Sequence, residues 1–210
     1  MLRINYLCTS ISISPLYNVI NVRRLFKMEK NAAENRVDQG RRTFLYFAYG
    51  SNLLKERILI NNKSAVFKAV GHIQDWELTF AMFSQRWQGH VATILPVQRA
   101  QCWGVVWELD ISDKQNLDNQ EGVSRMVYKP IEVQVTCEDG SILECRTYEL
   151  LRPLERGLGP PSPQYKNVIV SGARQNGLPQ DYIAQLEAIE DNGYSGTLDI
   201  TSSLIKNTDN

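Results

Sequence analysis

The chain has 210 residues, with 23 Lys and Arg against 23 Asp and Glu, so its formal charge is zero. Nucleic-acid binding through the backbone needs a positive field that releases counterions, and the chain as a whole provides none. At 43% hydrophobic residues it can bury a full core, yet no apolar run approaches the roughly 18 residues that would span a bilayer.

Charge is unevenly placed along the chain. Residues 1–28 carry Arg3, Arg23, Arg24 and Lys27 and no acid, with Ser10, Ser12 and Ser14 set among aliphatic side chains. That is the composition of a mitochondrial presequence. Met28 is followed by EKNAAENRVDQGRR, a polar stretch typical of a disordered leader, and Met28 also fits as an initiator. The expected division is a leader over 1–42, a folded domain over 43–195 and a tail over 196–210. The expected location is cytoplasmic, or mitochondrial if residues 1–27 act as a presequence.

The pattern changes at Thr43. FLYFAY (44–49) predicts a buried strand that meets a turn at Gly50. SNLLKERI follows, where Ser51 or Asn52 can cap a short helix with Leu53, Leu54 and Ile58 on one side. Four strand-like runs come next, AVFKAV (65–70), WELTF (76–80), VATILPV (91–97) and CWGVVWEL (102–109), with SQRWQGH (84–90) as a polar, aromatic loop.

A helix is predicted over 112–121, with Ser112 and Gln115 as a capping box and Gly122 closing it. VYKPIEVQVTC (127–137) alternates with period two, and Asp139-Gly140 signals a hairpin into SILECRTYELL (141–151). A two-residue turn pairs Ile131 with Tyr148, whereas a one-residue bulge pairs Val135 with Cys145; the direction of Tyr148 stays open. After a loop rich in Pro and Gly, two helices are predicted near 164–175 and 179–190, broken by Gly177 and Pro179. The fold class is α+β, a closed or nearly closed mixed sheet with helices packed outside.

Three segments could carry chemistry. In YFAYGSNLL (46–54) a strand ends at Gly-Ser-Asn, where Gly50 allows close backbone approach and the amides of Ser51 to Leu54 could face an anion. Glu121 stands at a predicted helix C-terminus with Asp118 three residues back, and both neighbours disfavour its charged form. PPSPQYK (160–166) is a stiff loop or connector in which Tyr165 could line a pocket.

Rival chemistries find no support in the sequence. Only His72 and His90 are present, and Cys8, Cys102, Cys137 and Cys145 form no CxxC pair, so no metal site is expected. No P-loop, GxGxxG or GxSxG occurs. Cys102 and Cys145 lie in apolar strands and read as core, as do Trp103 and Trp107.

FLYFAYGSNLL, WGVVWEL, LDNQEGV, CRTYEL and PPSPQYK occur in this order between Phe44 and Tyr194. Together they resemble the γ-glutamylcyclotransferases, in particular the animal branch. The resemblance implies a small mixed β-barrel surrounded by helices, no cofactor or metal, a small-molecule γ-glutamyl substrate and a homodimer. It assigns substrate binding to Tyr46, Phe47, Ala48, Tyr49, Gly50 and Ser51, with Asn52, Tyr148 and Tyr165 beside them, and catalysis to Glu121. The implied reaction is attack of the substrate's own α-amine on its γ-carbonyl, giving 5-oxoproline and a free amino acid, with Glu121 as general acid and base. Related enzymes act on γ-glutamylamines or on glutathione, and a catalytically silent γ-glutamyl-binding module would keep the pocket alone. The segment between Phe80 and His90 is shorter than is usual in the family, and the N-terminal extension is longer.

Overall fold

A computed structural model of the protein describes residues 42–198. The expected leader (apart from Arg42), the presequence and most of the expected tail lie outside the described residues. Five strands, β1 (Thr43–Ala48), β2 (Val66–Ser84), β3 (Gly89–Asp110), β4 (Tyr128–Cys137) and β5 (Ile142–Leu150), close a barrel in the order β1-β3-β2-β4-β5. Every pairing is antiparallel except β1 with β5, which closes the barrel in parallel at Tyr46 and Arg146. Four helices accompany it: α1 (Lys55–Leu59), α2 (Lys114–Gln120), α3 (Pro163–Gln175) and α4 (Gln180–Ala188). The α+β class and the mixed barrel are therefore as expected. Among the described residues no helix is long and apolar enough to cross a membrane.

Four predicted strands are in fact two. AVFKAV and WELTF run together as the 19-residue β2, and VATILPV and CWGVVWEL as the 22-residue β3. Register shifts at Phe67/Ala69, Gln74/Trp76 and Ala81/Phe83 bend the pair, and Asp75, Met82 and Arg99 take positive φ there. Such irregularities let long strands coil into a barrel instead of ending. The predicted 84–90 loop shrinks to a turn between β2 and β3, and its Trp87 is buried.

The β4–β5 hairpin adopts neither expected register. Ile131 faces Thr147, Val133 faces Cys145 and Val135 faces Leu143. The loop has three residues, with Gly140 at φ 81° and the Cys137 amide donating to Ser141 O at 2.8 Å. Asp139 accepts from the Ser141 amide at 2.9 Å, so it shapes the loop and does not open a two-residue turn. The apolar faces still match, because buried Val133, Val135 and Cys145 stay together. Tyr148 falls on the opposite strand face, with Arg146 and Leu150.

Two capping expectations are corrected. Neither Ser51 nor Asn52 caps a helix, since Ser51–Leu53 form a 3₁₀ turn and α1 starts after extended Leu54 without a side-chain cap. Ahead of α2, Asp110, not a Ser112/Gln115 box, accepts from the Ser112 amide at 3.2 Å and starts the 3₁₀ turn Ile111–Asp113. At the other end Gly122 does close the helix, at φ 66°. Ser162 caps α3 by accepting from the Tyr165 amide at 3.2 Å, with Pro163 in the first turn.

Candidate active site

β1 delivers Tyr46 and Tyr49 to one end of the barrel, and the 3₁₀ turn after it folds Asn52 back beneath them. Asn52 is buried, and its carbonyl accepts from the indole of fully buried Trp107 at 3.0 Å. Its side-chain amide donates to the Tyr46 hydroxyl at 3.0 Å and to Glu121 Oε1 at 3.3 Å. Gln120 Nε2 donates to Asn52 Oδ1 at 3.0 Å and to the same Oε1 at 3.3 Å. The two amides thus converge on one carboxylate oxygen, while Oε2 accepts no hydrogen bond from the described residues.

Glu121 holds this position because it ends α2. Its amide bonds Leu117 O at 3.0 Å, buried Leu117 anchors the helix, and left-handed Gly122 turns the chain away immediately afterwards. Burial pushes the Glu121 carboxyl up to about 7. Arg57 and the Gln120 and Asn52 amides oppose the shift, and Asp118 adds a small push upward. The direction is the one expected from sequence, but its leading cause is desolvation, not repulsion by Asp118. Asp118 is engaged elsewhere, 2.7 Å from Arg146 Nη2 and 2.5 Å from the Tyr148 hydroxyl.

Glu121 stands where two cavities meet. The inner one, about 40 Å³, is walled by Tyr46, Tyr49, Tyr128, Tyr148 and Tyr165, with Gly50, Ser51, Asn52 and Ala92. The outer one, about 410 Å³, continues past Tyr128 and Tyr165 to Arg57, Arg86, Trp87 and Arg125. At about 10–15 Å³ per water position the inner chamber admits a few waters.

The five tyrosines differ in what their protons do. Tyr49 donates to the Tyr148 carbonyl, Tyr128 donates to Ala92 O at 2.8 Å, and Tyr148 donates to Asp118. The Tyr165 hydroxyl instead accepts from the Ala92 amide at 3.1 Å, with the Ser51 amide as a second backbone contact. The Tyr46 hydroxyl accepts from Asn52. Tyr46 and Tyr165 are thus the cavity tyrosines whose protons are committed to no described partner. Burial raises the pKa of all five phenols, which keeps them protonated.

Of the residues singled out in the sequence, Tyr46, Tyr49, Gly50, Ser51, Asn52, Glu121, Tyr148 and Tyr165 come together around the inner chamber. Phe47 and Ala48 do not line it; both are fully buried in the core, where a side chain at Gly104 would collide with them. The outward-facing amide array over 51–54 is also corrected, since Leu53 and Leu54 donate to Gly50 O and Ser51 O. Gly50 serves by its small size, because an added Cβ would lie 3.2 Å from that of Ala92. Sequence reasoning missed Arg57, Gln120 and Tyr128. Gln120 could have been suspected as the immediate neighbour of Glu121. Arg57 and Tyr128 carry no local signal, because the barrel alone brings them to the site.

A closed mixed barrel with a carboxyl of raised pKa over a tyrosine-walled chamber has the features of an enzyme site. Residues 101–186 match the AIG2-like family. A mouse γ-glutamylcyclotransferase is 47% identical over 175 residues, covering 81% of this chain and 92% of the mouse protein. A human γ-glutamylcyclotransferase is 48% identical over 158 residues, 73% of this chain and 82% of the human protein. A solved γ-glutamyl cyclotransferase structure superposes with a TM-score of 0.74 at 43% identity, covering 79% of this chain and 99% of its own. The chain belongs to the γ-glutamylcyclotransferase family of enzymes.

Proposed function

We propose that the protein converts γ-glutamyl-amino acids to 5-oxoproline and a free amino acid, with Glu121 as the catalytic residue. The observation that carries this reading is the free Oε2 of Glu121 at the junction of the two cavities. The glutamyl group occupies the inner chamber, the leaving amino acid the outer one, and the scissile amide lies between. The substrate's α-ammonium gives a proton to Oε2, and its nitrogen then attacks the γ-carbonyl carbon. A new carbon–nitrogen bond closes the five-membered ring, and Glu121 returns its proton to the departing nitrogen as the amide carbon–nitrogen bond breaks. The ring nitrogen's second surplus proton follows through the same carboxyl, so that the product is a neutral lactam and the amino acid leaves as its ammonium form.

A carboxyl with a pKa of about 7 suits both halves of this cycle near neutral pH. The uncommitted Tyr165 proton, next to the Ser51 amide, serves the oxygen that becomes negative as the amine adds. Tyr46, Tyr49 and Tyr148 hold the flexible glutamyl chain folded, and such orientation contributes up to roughly 7–11 kcal/mol in favourable intramolecular cases. No cofactor enters this scheme. A place in glutathione metabolism, a cytoplasmic location and a homodimeric state belong to the same reading and rest on the family relationship.

The test is release of 5-oxoproline from γ-glutamyl-alanine by wild type and by Glu121→Gln. Turnover that falls by about 10²–10⁴-fold in the variant supports the assignment. A fully active variant removes Glu121 from the mechanism, and binding without turnover in wild type leaves a γ-glutamyl-binding module.

A further inference from the structure

The outer cavity has a charge pattern that the cyclisation chemistry leaves unexplained. Arg57, Arg86 and Arg125 all line it, and among the described residues Glu121 is its one acidic wall residue. Arg57 is only 4% exposed, yet its Nε and Nη1 are buried without any hydrogen-bond partner. Leaving charged donors buried and unpaired costs more than leaving neutral ones so. Arg86 adds repulsion, since it and burial both depress the Arg57 pKa, while Glu121 offsets them only in part. Arg86 and Arg125 are exposed side chains at the rim. A buried guanidinium with two unpartnered donors, in a cavity lined by two more cations, is a place for an anion.

We infer that Arg57, Arg86 and Arg125 form a subsite for the carboxylate of the leaving amino acid. This rests on the reading that the leaving group occupies the outer cavity. Among the described residues no cation lines the inner chamber, so the glutamyl end is held by phenols and amides and the cations are left for the other end. Arg57 receives the carboxylate at the floor, and the two rim arginines draw it in and add charge. Three cations exceed what one carboxylate needs. A leaving aspartate or glutamate is therefore favoured and a leaving lysine disfavoured.

The experiment compares kcat/KM for γ-glutamyl-alanine with that for γ-glutamyl-alanine amide, which differs only in lacking the leaving carboxylate. Wild type is expected to prefer the acid by about 10–100-fold, the range of a charge-assisted contact, and to lose part of that preference as salt rises. Arg57→Lys and Arg86→Gln should each lower the acid-to-amide ratio severalfold. Because Arg86 is exposed, its variant keeps the test open even if the Arg57 variant does not fold. An acid-to-amide ratio near one in wild type, or a ratio unchanged in Arg86→Gln, overturns the subsite while cyclisation stands. No 5-oxoproline from either compound overturns the cyclotransferase reading and the subsite with it.

Discussion

Asn52 Nδ2 lies 3.3 Å from Glu121 Oε1 although the two residues are 69 apart in the chain. The contact joins the turn after β1 to the end of α2, and it stabilises the charged carboxylate against the burial that opposes it. For wild type, kcat/KM for γ-glutamyl-alanine should rise with pH and level off above about 7, as Glu121 loses its proton in the free enzyme. Removing the Asn52 amide takes away one of the forces that hold the pKa down. In Asn52→Ala the acid limb should move to higher pH, with much of the lost rate recovered at alkaline pH. A pH–rate profile measures this, and an unshifted limb would separate Asn52 from the carboxyl.

Keeping Glu121 buried costs stability. A carboxyl whose pKa is raised on folding binds more protons in the native than in the unfolded state between its two pKa values. Stability therefore falls as pH rises through that window, from about 4.5 to about 7. Above it the full cost is present, on the order of 3 kcal/mol. Glu121→Gln should match wild type in denaturant midpoint near pH 4 and exceed it at pH 8. Parallel curves at both pH values would contradict the raised pKa.

What the sequence made legible was mostly local. The strand ending at Gly50, the helix closed by Gly122 and the break between α3 and α4 at Gly177 and Pro179 each follow from a few adjacent residues. The bend of β2 and β3 did not, because the bulges at Asp75 and Arg99 are imposed by barrel closure, and Pro96 beside them reads equally well as the end of a strand. The β4–β5 register escaped because Asp139 reads equally well as a turn corner and as a side-chain acceptor for Ser141. Glu121 was visible, but the desolvation that shifts its pKa was not, since that depends on walls from β1, β4 and α3. Arg57 went unnoticed for the same reason: a charged residue in a short helix normally faces water.

Gly122 sits at φ 66°, and a Cβ there would lie 3.2 Å from that of Val127. An L residue in the left-handed region costs about 1–2 kcal/mol, roughly 2–8 °C in melting temperature for a domain of this size. Gly122→Ala should melt lower by that amount and lose turnover as well, because the residue before it is Glu121. Gly122→Asn should lose less stability, since Asn tolerates this conformation better. Equal losses in the two variants would point to crowding against Val127 instead of backbone strain.

Tyr128 and Tyr165 both reach Ala92, but in opposite senses. Tyr128 donates to the Ala92 carbonyl and has no proton left for a substrate, whereas Tyr165 accepts from the Ala92 amide and keeps its own. The ring of Tyr165 is held 4.6 Å from that of Trp87, so its hydroxyl is fixed at the junction between the chambers. Substituting each by Phe should therefore separate two effects. Tyr128→Phe leaves a carbonyl short of its partner and should cost about 1–3 kcal/mol of stability with a small change in kcat. Tyr165→Phe should lower kcat by about 10²-fold, the loss typical of one donor to a developing oxyanion, beyond whatever stability it loses. Thermal melts alongside 5-oxoproline kinetics for the pair decide the matter, and a larger kcat loss for Tyr128→Phe would reverse the assignment of the donor.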